Sequence, residues 1–290
     1  MTVQASIDGT DVADARQPIV GFIGLGDQGL AMAVAIAEAG FPLHVWARRP
    51  GSLEALGSTP HTPHDDVVAL AAACDIVALC VSTDEDVLSL VSGGLLGGLR
   101  VGSVVVNHGT GTPRNADRLS ELCAGRGVDV LDAPVSGGRP AAETRTLTTL
   151  VGGPQATARR CEPVFRSFAT HVVHLGGTGT GQTAKLLNNA LLMMNQAAIA
   201  DIVDHALGLG LDPVALLNAL KLGSASSRAL TLLNTMITPD TVEHLSAVQA
   251  LDMDLFHTAM QEGGIDASTT TTRGLDGAHR LPALVGRLNP

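Results

Sequence analysis

The sequence predicts an α/β fold: a Rossmann-type doubly wound sheet followed by an all-α domain, joined through a long helix. Three observations carry that expectation. Short β-like runs alternate with helical ones from Pro18 onward, as in a mostly parallel sheet covered on both faces. The first turn of this alternation, GFIGLGDQG, is rich in glycine. After Gly181 the strand pattern stops and only helical segments follow.

The elements can be justified in order. PIVGFIGLG reads as a buried strand ending in glycines, and LAMAVAIAEAG as a helix stopped by Gly40. PLHVWA is the second strand. DIVALCV, SVVVN and VDVLDAPV are further strands, with DVVALAAA and PRNADRLSELCAG as helices between them. TLTTLVGG and HVVHLG add two strands around the helix QATARRCEPVFRSF. Residues 182–209 then predict one helix of about 42 Å, apolar on most of its circumference, and so buried between domains or subunits. Helices are expected over 213–221, 226–237 and 242–262, while the threonine run at 269–272 reads as a turn or loop. Three segments result: a polar leader over 1–17, a dinucleotide-binding domain over 18–181, and an all-α domain over 182–290 for substrate binding and oligomerisation.

Composition bounds the function. The 290 residues are 45% hydrophobic, which is ordinary for a globular chain with ample core. A formal net charge of −10 with only 18 Lys and Arg argues against nucleic acid or an anionic membrane as partner. The absence of Tyr also removes common base-stacking platforms. Cys74, Cys80, Cys123 and Cys161 lack metal-ligand spacing and read as buried reduced thiols. The N-terminus has no signal-peptide pattern, and no apolar run is judged long enough to span a bilayer, so the expected location is the cytoplasm. No metal is expected: His171 and His174 fall on opposite faces of a strand, and His61 and His64 sit in a proline-rich, solvated loop.

Gly24, Gly26 and Gly29 form G-x-G-x-x-G between the first strand and the first helix. In that context Gly24 permits the tight turn, Gly26 lets backbone approach a pyrophosphate, and Gly29 lets helix and strand pack closely. Leu25, Asp27 and Gln28 complete the cofactor loop, whose helix N-terminus offers free N–H groups to phosphate. An NAD site usually has an acid after the second strand. Here WARRPGS places Arg48 and Arg49 there, suited to a 2′-phosphate. NADP(H) is therefore favoured, with NAD(H) the alternative.

DAPVSGG at 132–138 and GTGQTAKLLNN at 179–189, together with GFIGLGDQG, resemble the β-hydroxyacid dehydrogenase family, which includes 3-hydroxyisobutyrate dehydrogenase and tartronate semialdehyde reductase. The resemblance runs from about residue 18 to 262. It implies the same two-domain architecture, a small-molecule substrate, and a homodimer or homotetramer. It places the catalytic lysine on Lys185, with Asn189 about 40° away around the helix on the same face. Asn188 is left to cap or pack. The resemblance further implies that Ser136, Gly137 and Gly138 hold the substrate carboxylate, that Asp252 belongs to the substrate site, and that Val81, Ser82 and Thr110 contact the cofactor. Four positions depart from the family pattern: His108 stands at a usually apolar place, Gly109 at a serine, Arg145 at a glycine, and Leu251 at a lysine. The implied reaction is hydride transfer between nicotinamide and the carbon bearing hydroxyl or carbonyl, with Lys185 carrying the proton. An imine reductase would share the architecture but typically lacks the lysine. A non-catalytic dinucleotide-binding module would not need Lys185, Asn189 and Ser136 together.

Overall fold

A computed structural model describes residues 16–289. Of the expected leader, only Arg16 and Gln17 fall among the described residues.

The chain begins β1 (Val20–Ile23), α1 (Gly29–Glu38), β2 (Leu43–Trp46), β3 (Thr62–Pro63), α2 (Val67–Ala73), β4 (Ile76–Leu79), α3 (Asp84–Leu90) and a short α4 (Leu96–Gly98). It continues β5 (Val104–Asn107), α5 (Pro113–Ala124), β6 (Asp129–Asp132), β7 (Val135–Ser136), α6 (Gly138–Glu143), β8 (Leu147–Gly152), α7 (Gln155–Phe165) and β9 (Ala169–Gly176). Helices follow: α8 (Thr180–Gly208), α9 (Pro213–Leu222), α10 (Arg228–Leu232), α11 (Val242–Glu262) and α12 (Ser268–Leu288).

The nine strands form one sheet in the order β3-β2-β1-β4-β5-β6-β8-β7, with β9 paired to β8. Strands β1 to β6 are parallel, and β9 runs parallel to β8. Only the pairings of β8 with β6 and β7 are antiparallel. Central strands β1, β4 and β5 are buried at every position, as strands covered on both faces must be. One apolar cluster around Phe22, Ile36, Leu131 and Phe168 lies against the sheet, and a second around Leu70, Leu79, Leu95 and Leu119 also contributes to its cover. Order reverses between β1 and β4, the place where doubly wound sheets open a crevice for ligands.

Local chemistry explains the starts of the helices. Asp66 caps α2 by accepting from Ala69 N–H at 2.7 Å, and Asp212 caps α9 with Pro213 at its first position. Gly40, with φ +90°, ends the turn after α1.

Several expectations need correction. The threonines at 269–272 lie inside α12, not in a loop. Their β-branched side chains favour helix weakly, but α12 packs along α8 and α11, and that burial overrides propensity. The contact is close: a Cβ on Gly277 would stand 1.9 Å from the Met193 carbonyl oxygen. Residues 226–237 do not form one helix. Ser227 caps a single short helix, after which Leu233 is extended and Asn234 takes φ +62°. His64 is not simply solvated: its Nε2 meets His44 Nδ1 at 2.9 Å, while His61 Nδ1 pairs with the Thr59 carbonyl. Finally, α8 does reach the length and apolarity of a bilayer span, yet half of its most apolar window is buried inside the protein. It is the axial helix of the α-helical part, enclosed by α11 and α12.

Candidate active site

Three groups of residues gather at the carboxyl ends of the parallel strands. The first surrounds the glycine turn. Gly24 has φ +105°, and a Cβ there would lie 2.1 Å from the Cys80 carbonyl oxygen. A Cβ on Gly29 would lie 1.9 Å from the Gly24 carbonyl oxygen, so α1 is pressed against its own turn. Gly26, by contrast, faces open space. This is a cradle that only these glycines leave free, and it fits a dinucleotide pyrophosphate. Gly24, Leu25, Gly26, Arg48, Arg49, Val81 and Ser82 line the adjoining pocket with Trp46. Asp27 is exposed, and the buried Gln28 Oε1 has no partner within the protein.

One acid in this pocket escaped the sequence reading. No carboxylate follows β2 in sequence, but α3 delivers Asp86, whose Oδ1 pairs with Arg48 at 3.3 Å. The Arg48 side chain is 82% exposed, so the pair is weak and the guanidinium is free to turn to another anion. Cys80 lines the same pocket; burial raises its thiol pKa to about 11, and burial likewise raises the other three cysteines. Among the described residues none is in a disulfide. These thiols are poor nucleophiles.

The second group is the start of α8. Gly179 N–H and Gln182 N–H donate to the two carboxylate oxygens of Asp132, at 2.8 and 2.9 Å. Burial pushes the Asp132 carboxyl up, and the backbone donors pull it back. Lys185 and Asn189 lie on successive turns. Asn189 Nδ2 donates to Asp252 Oδ2 of α11 at 2.8 Å, and Asn189 Oδ1 accepts from Nδ2 of the exposed Asn188 at 3.0 Å. Burial lowers the Lys185 pKa from its usual value, opposed by the charge of Asp252. Burial also raises Asp252, opposed by Lys185 and by the Asn189 hydrogen bond. The arrangement therefore holds an amine closer to neutral pH than a surface lysine, beside a fixed amide.

The third group is the loop after β5. Thr110 lines a cleft of about 690 Å³ with Ser82, Thr112, Arg114 and Leu251, between α3, α5 and α11. Lys185, Asn189 and Ser136 do not line this cleft. Asp84 holds the loop by accepting from Thr112 N–H at 2.9 Å. Ser136 stands at the end of β7, opposite Thr148, and Gly137 and Gly138 both take positive φ. A Cβ on Gly138 would lie 2.8 Å from Met236 Sδ, so the segment after α10 walls this turn. Among the described residues, no hydrogen bond joins Ser136 to Lys185.

The departures have local causes. At Gly109 a Cβ would stand 2.8 Å from the Val81 carbonyl oxygen, leaving no room for a side chain. Arg145 adopts φ +59°, a conformation that favours glycine, and pairs with Glu38. His108 is buried, donates from Nδ1 to the Ala133 carbonyl at 2.8 Å, and meets Phe165 and Phe168 edge-on. Burial drops its pKa to about 4 from 6.5. The unfolded chain therefore takes up this proton first, and stability falls as pH drops from about 6.5 to about 4. The loss from His108 should approach roughly 3 kcal/mol. His108→Leu should flatten the difference between urea midpoints at about pH 7 and pH 4.5.

Asp132, Gln182, Asp84, Asp86 and Met236 are site residues that sequence reasoning did not single out. Asp132 and Gln182 lay inside quoted motifs, DAPVSGG and GTGQTAKLLNN, as polar residues at the end of an apolar strand and at the start of an apolar helix.

Comparison with known proteins bears on the fold and on the class of protein. Residues 19–176 match the NAD binding domain of 6-phosphogluconate dehydrogenase, and residues 179–274 the NAD-binding domain of NADP-dependent 3-hydroxyisobutyrate dehydrogenase. 2-Hydroxy-3-oxopropionate reductase of Escherichia coli is 34% identical over 73% of this chain and 73% of its own. 3-Hydroxyisobutyrate dehydrogenase of Pseudomonas aeruginosa is 32% identical over 74% and 73%. In fold, Mycobacterium tuberculosis 3-hydroxyisobutyrate dehydrogenase, solved with L-serine, superposes with a TM-score of 0.82 over 94% of this chain and all of that one, at 24% identity. With these relatives and matched domains, the chain is a nicotinamide-dinucleotide oxidoreductase acting on CH–OH groups. The chain belongs to the β-hydroxyacid dehydrogenase family.

Proposed function

We propose that this protein interconverts a β-hydroxyacid and its semialdehyde or keto form using NADP(H), with Lys185 as proton donor and acceptor. The observation that carries this reading is Lys185 itself: a lysine with a burial-lowered pKa, beside an Asn189 fixed by Asp252. The bound dinucleotide supplies or takes the hydride. Gly24, Leu25, Gly26, Asp27, Gln28, Gly29, Val81, Ser82 and Thr110 hold it. Ser136 Oγ and the N–H groups of Gly137 and Gly138 grip the substrate carboxylate. Lys185 protonates the carbonyl oxygen in reduction and removes the hydroxyl proton in oxidation. Asn189 orients that oxygen or the lysine, and Asp252 keeps Asn189 turned. Domain 18–181 thus carries the cofactor and 182–290 the proton carrier. Assays of β-hydroxyacids, semialdehydes and cyclic imines with both cofactors test the reading; turnover of imines alone would refute it.

The NADP(H) preference rests on Arg48 and Arg49 in the pocket beside the glycine turn. Arg48→Ala should weaken NADPH binding more than NADH binding, by about tenfold for a lost charge-assisted contact. Equal losses would mean that the arginine does not read the 2′-phosphate. Leu251, 63% exposed in the cleft, replaces a positive charge by an apolar wall. That favours a substrate without a second anionic group at this end.

A homodimer or homotetramer is supported by Leu187, Leu191 and Ile202, exposed along one face of α8. Sedimentation at falling concentration should give a species of at least twice 29.6 kDa. A dilution-stable monomer would count against it.

A further inference from the structure

The loop that carries Thr110 is tied down everywhere except at Thr110. Gly109 N–H donates to Asn107 Oδ1 at 3.0 Å, and Thr112 N–H to Asp84 Oδ2 at 2.9 Å. Thr112 Oγ1 also donates to Asp84 Oδ2 at 3.2 Å, and two further ties come from one side chain. Gln182 Nε2 donates to the Gly109 carbonyl at 2.7 Å, and Gln182 Oε1 accepts from Gly111 N–H at 2.9 Å. Gln182 thus brackets Thr110 on both sides. Among the described residues, no hydrogen bond engages Thr110 itself.

Gln182 is only 1% exposed and spends its backbone N–H on Asp132. It stands on α8 three residues before Lys185, about 60° around the helix and about 4.5 Å along it. A chain of buried bonds therefore runs from β6 through Asp132 to the start of α8, and from Gln182 back to the loop after β5. It joins the part that would hold the nicotinamide end of the cofactor to the helix that would hold the proton carrier. A buried amide with both ends satisfied is a stiff connection, because breaking either bond leaves a desolvated partner.

We propose that Gln182 is a positioning residue that keeps the Thr110 loop in register with Lys185, so that the hydride and proton positions stay a fixed distance apart. The proposal rests on the dehydrogenase reading above. It goes beyond it by assigning the register to one amide that touches neither substrate nor cofactor. Affinity for the dinucleotide should come chiefly from the glycine turn and the Arg48 pocket, which Gln182 does not touch.

The test uses Gln182→Leu and Gln182→Glu in the full chain. Trp46, the sole tryptophan, lines the adenosine-side pocket, so its quenching on NADPH or NADH addition reads affinity. Anisotropy of the reduced nicotinamide emission at saturation reads how firmly the ring is held. Gln182→Leu should bind with a Kd within about threefold of the parent but with lower nicotinamide anisotropy, and kcat should fall at least about tenfold while substrate KM moves little. Gln182→Glu keeps the acceptor for Gly111 N–H but sets a carboxylate oxygen against the Gly109 carbonyl. Protonation restores the donor, so anisotropy and kcat relative to the parent should recover as pH falls. This second variant is compared with itself across pH, which separates register from poor folding. Parent-like anisotropy and kcat in Gln182→Leu would overturn the proposal, as would a Gln182→Glu without pH recovery. A parent that binds NADPH and turns over hydroxyacids while the variants show no such effects sinks the proposal alone. A parent that binds neither dinucleotide sinks the dehydrogenase reading and the proposal with it.

Discussion

Lys185→Met is expected to lower turnover at least about a hundredfold while dinucleotide affinity stays within a few fold. Methionine keeps the unbranched stem and the helix propensity but has no proton to give or take. The glycine turn and the β2 and β4 loops, proposed to hold the pyrophosphate and ribose, line a pocket to which α8 contributes no residue, so binding should survive. The pH profile adds a second readout with a definite sign. Burial lowers the Lys185 pKa. Oxidation needs the neutral amine and should rise with pH through that pKa. Reduction needs the ammonium and should fall across the same limb. Both limbs should vanish in Lys185→Met. Asn189→Ala should cost less, since the amide orients rather than transfers, and the double variant should lose less than the product of the two single losses. Near-parent turnover in Lys185→Met would return this lysine to a packing role.

Asp132→Asn should destabilise the folded chain by about 3 kcal/mol, the scale of two buried hydrogen bonds to a charged acceptor. Both Asp132 oxygens accept from backbone N–H groups at the start of α8. An asparagine must turn its NH₂ toward one of those donors, leaving two hydrogens face to face. Gly152 and Gly181 crowd the same carboxylate, with a Cβ on either lying within 2.9 Å of an Asp132 oxygen, so the amide has little room to rotate away. Urea unfolding at neutral pH measures the loss. A midpoint unchanged from the parent would show that water readily replaces the carboxylate.

Much of the fold was legible because its signals are local. The glycine turn, the valine-rich central strands and the apolar run from Gly181 declare themselves within about a dozen residues each. What stayed hidden depends on distance in sequence. Helix α12 opens with threonines that are poor helix formers, and it exists because α8 and α11 give it a surface to bury. Asp86 reaches the Arg48 pocket from 38 residues away. The site shows the same division. Lys185, Asn189 and the glycines sit in recognisable spacings. Gln182 draws its importance from a loop 71 residues earlier, and Met236 from a turn on another element. No periodicity encodes such pairings.

Helix α8 interleaves its duties residue by residue: Lys185 and Asn189 look toward Asp252, while Leu187 and Leu191 look outward. Each residue advances the helix by about 100°. Adding or removing one residue between Asp132's grip on Gln182 and Lys185 would turn the amine out of its place and an apolar side chain into it. Drift in this stretch is thus confined to substitution, because length here sets angular phase. Length matters less in an exposed loop such as 223–226, but 182–189 behaves like the pitch of a screw thread, in which a single slipped step misaligns everything beyond it.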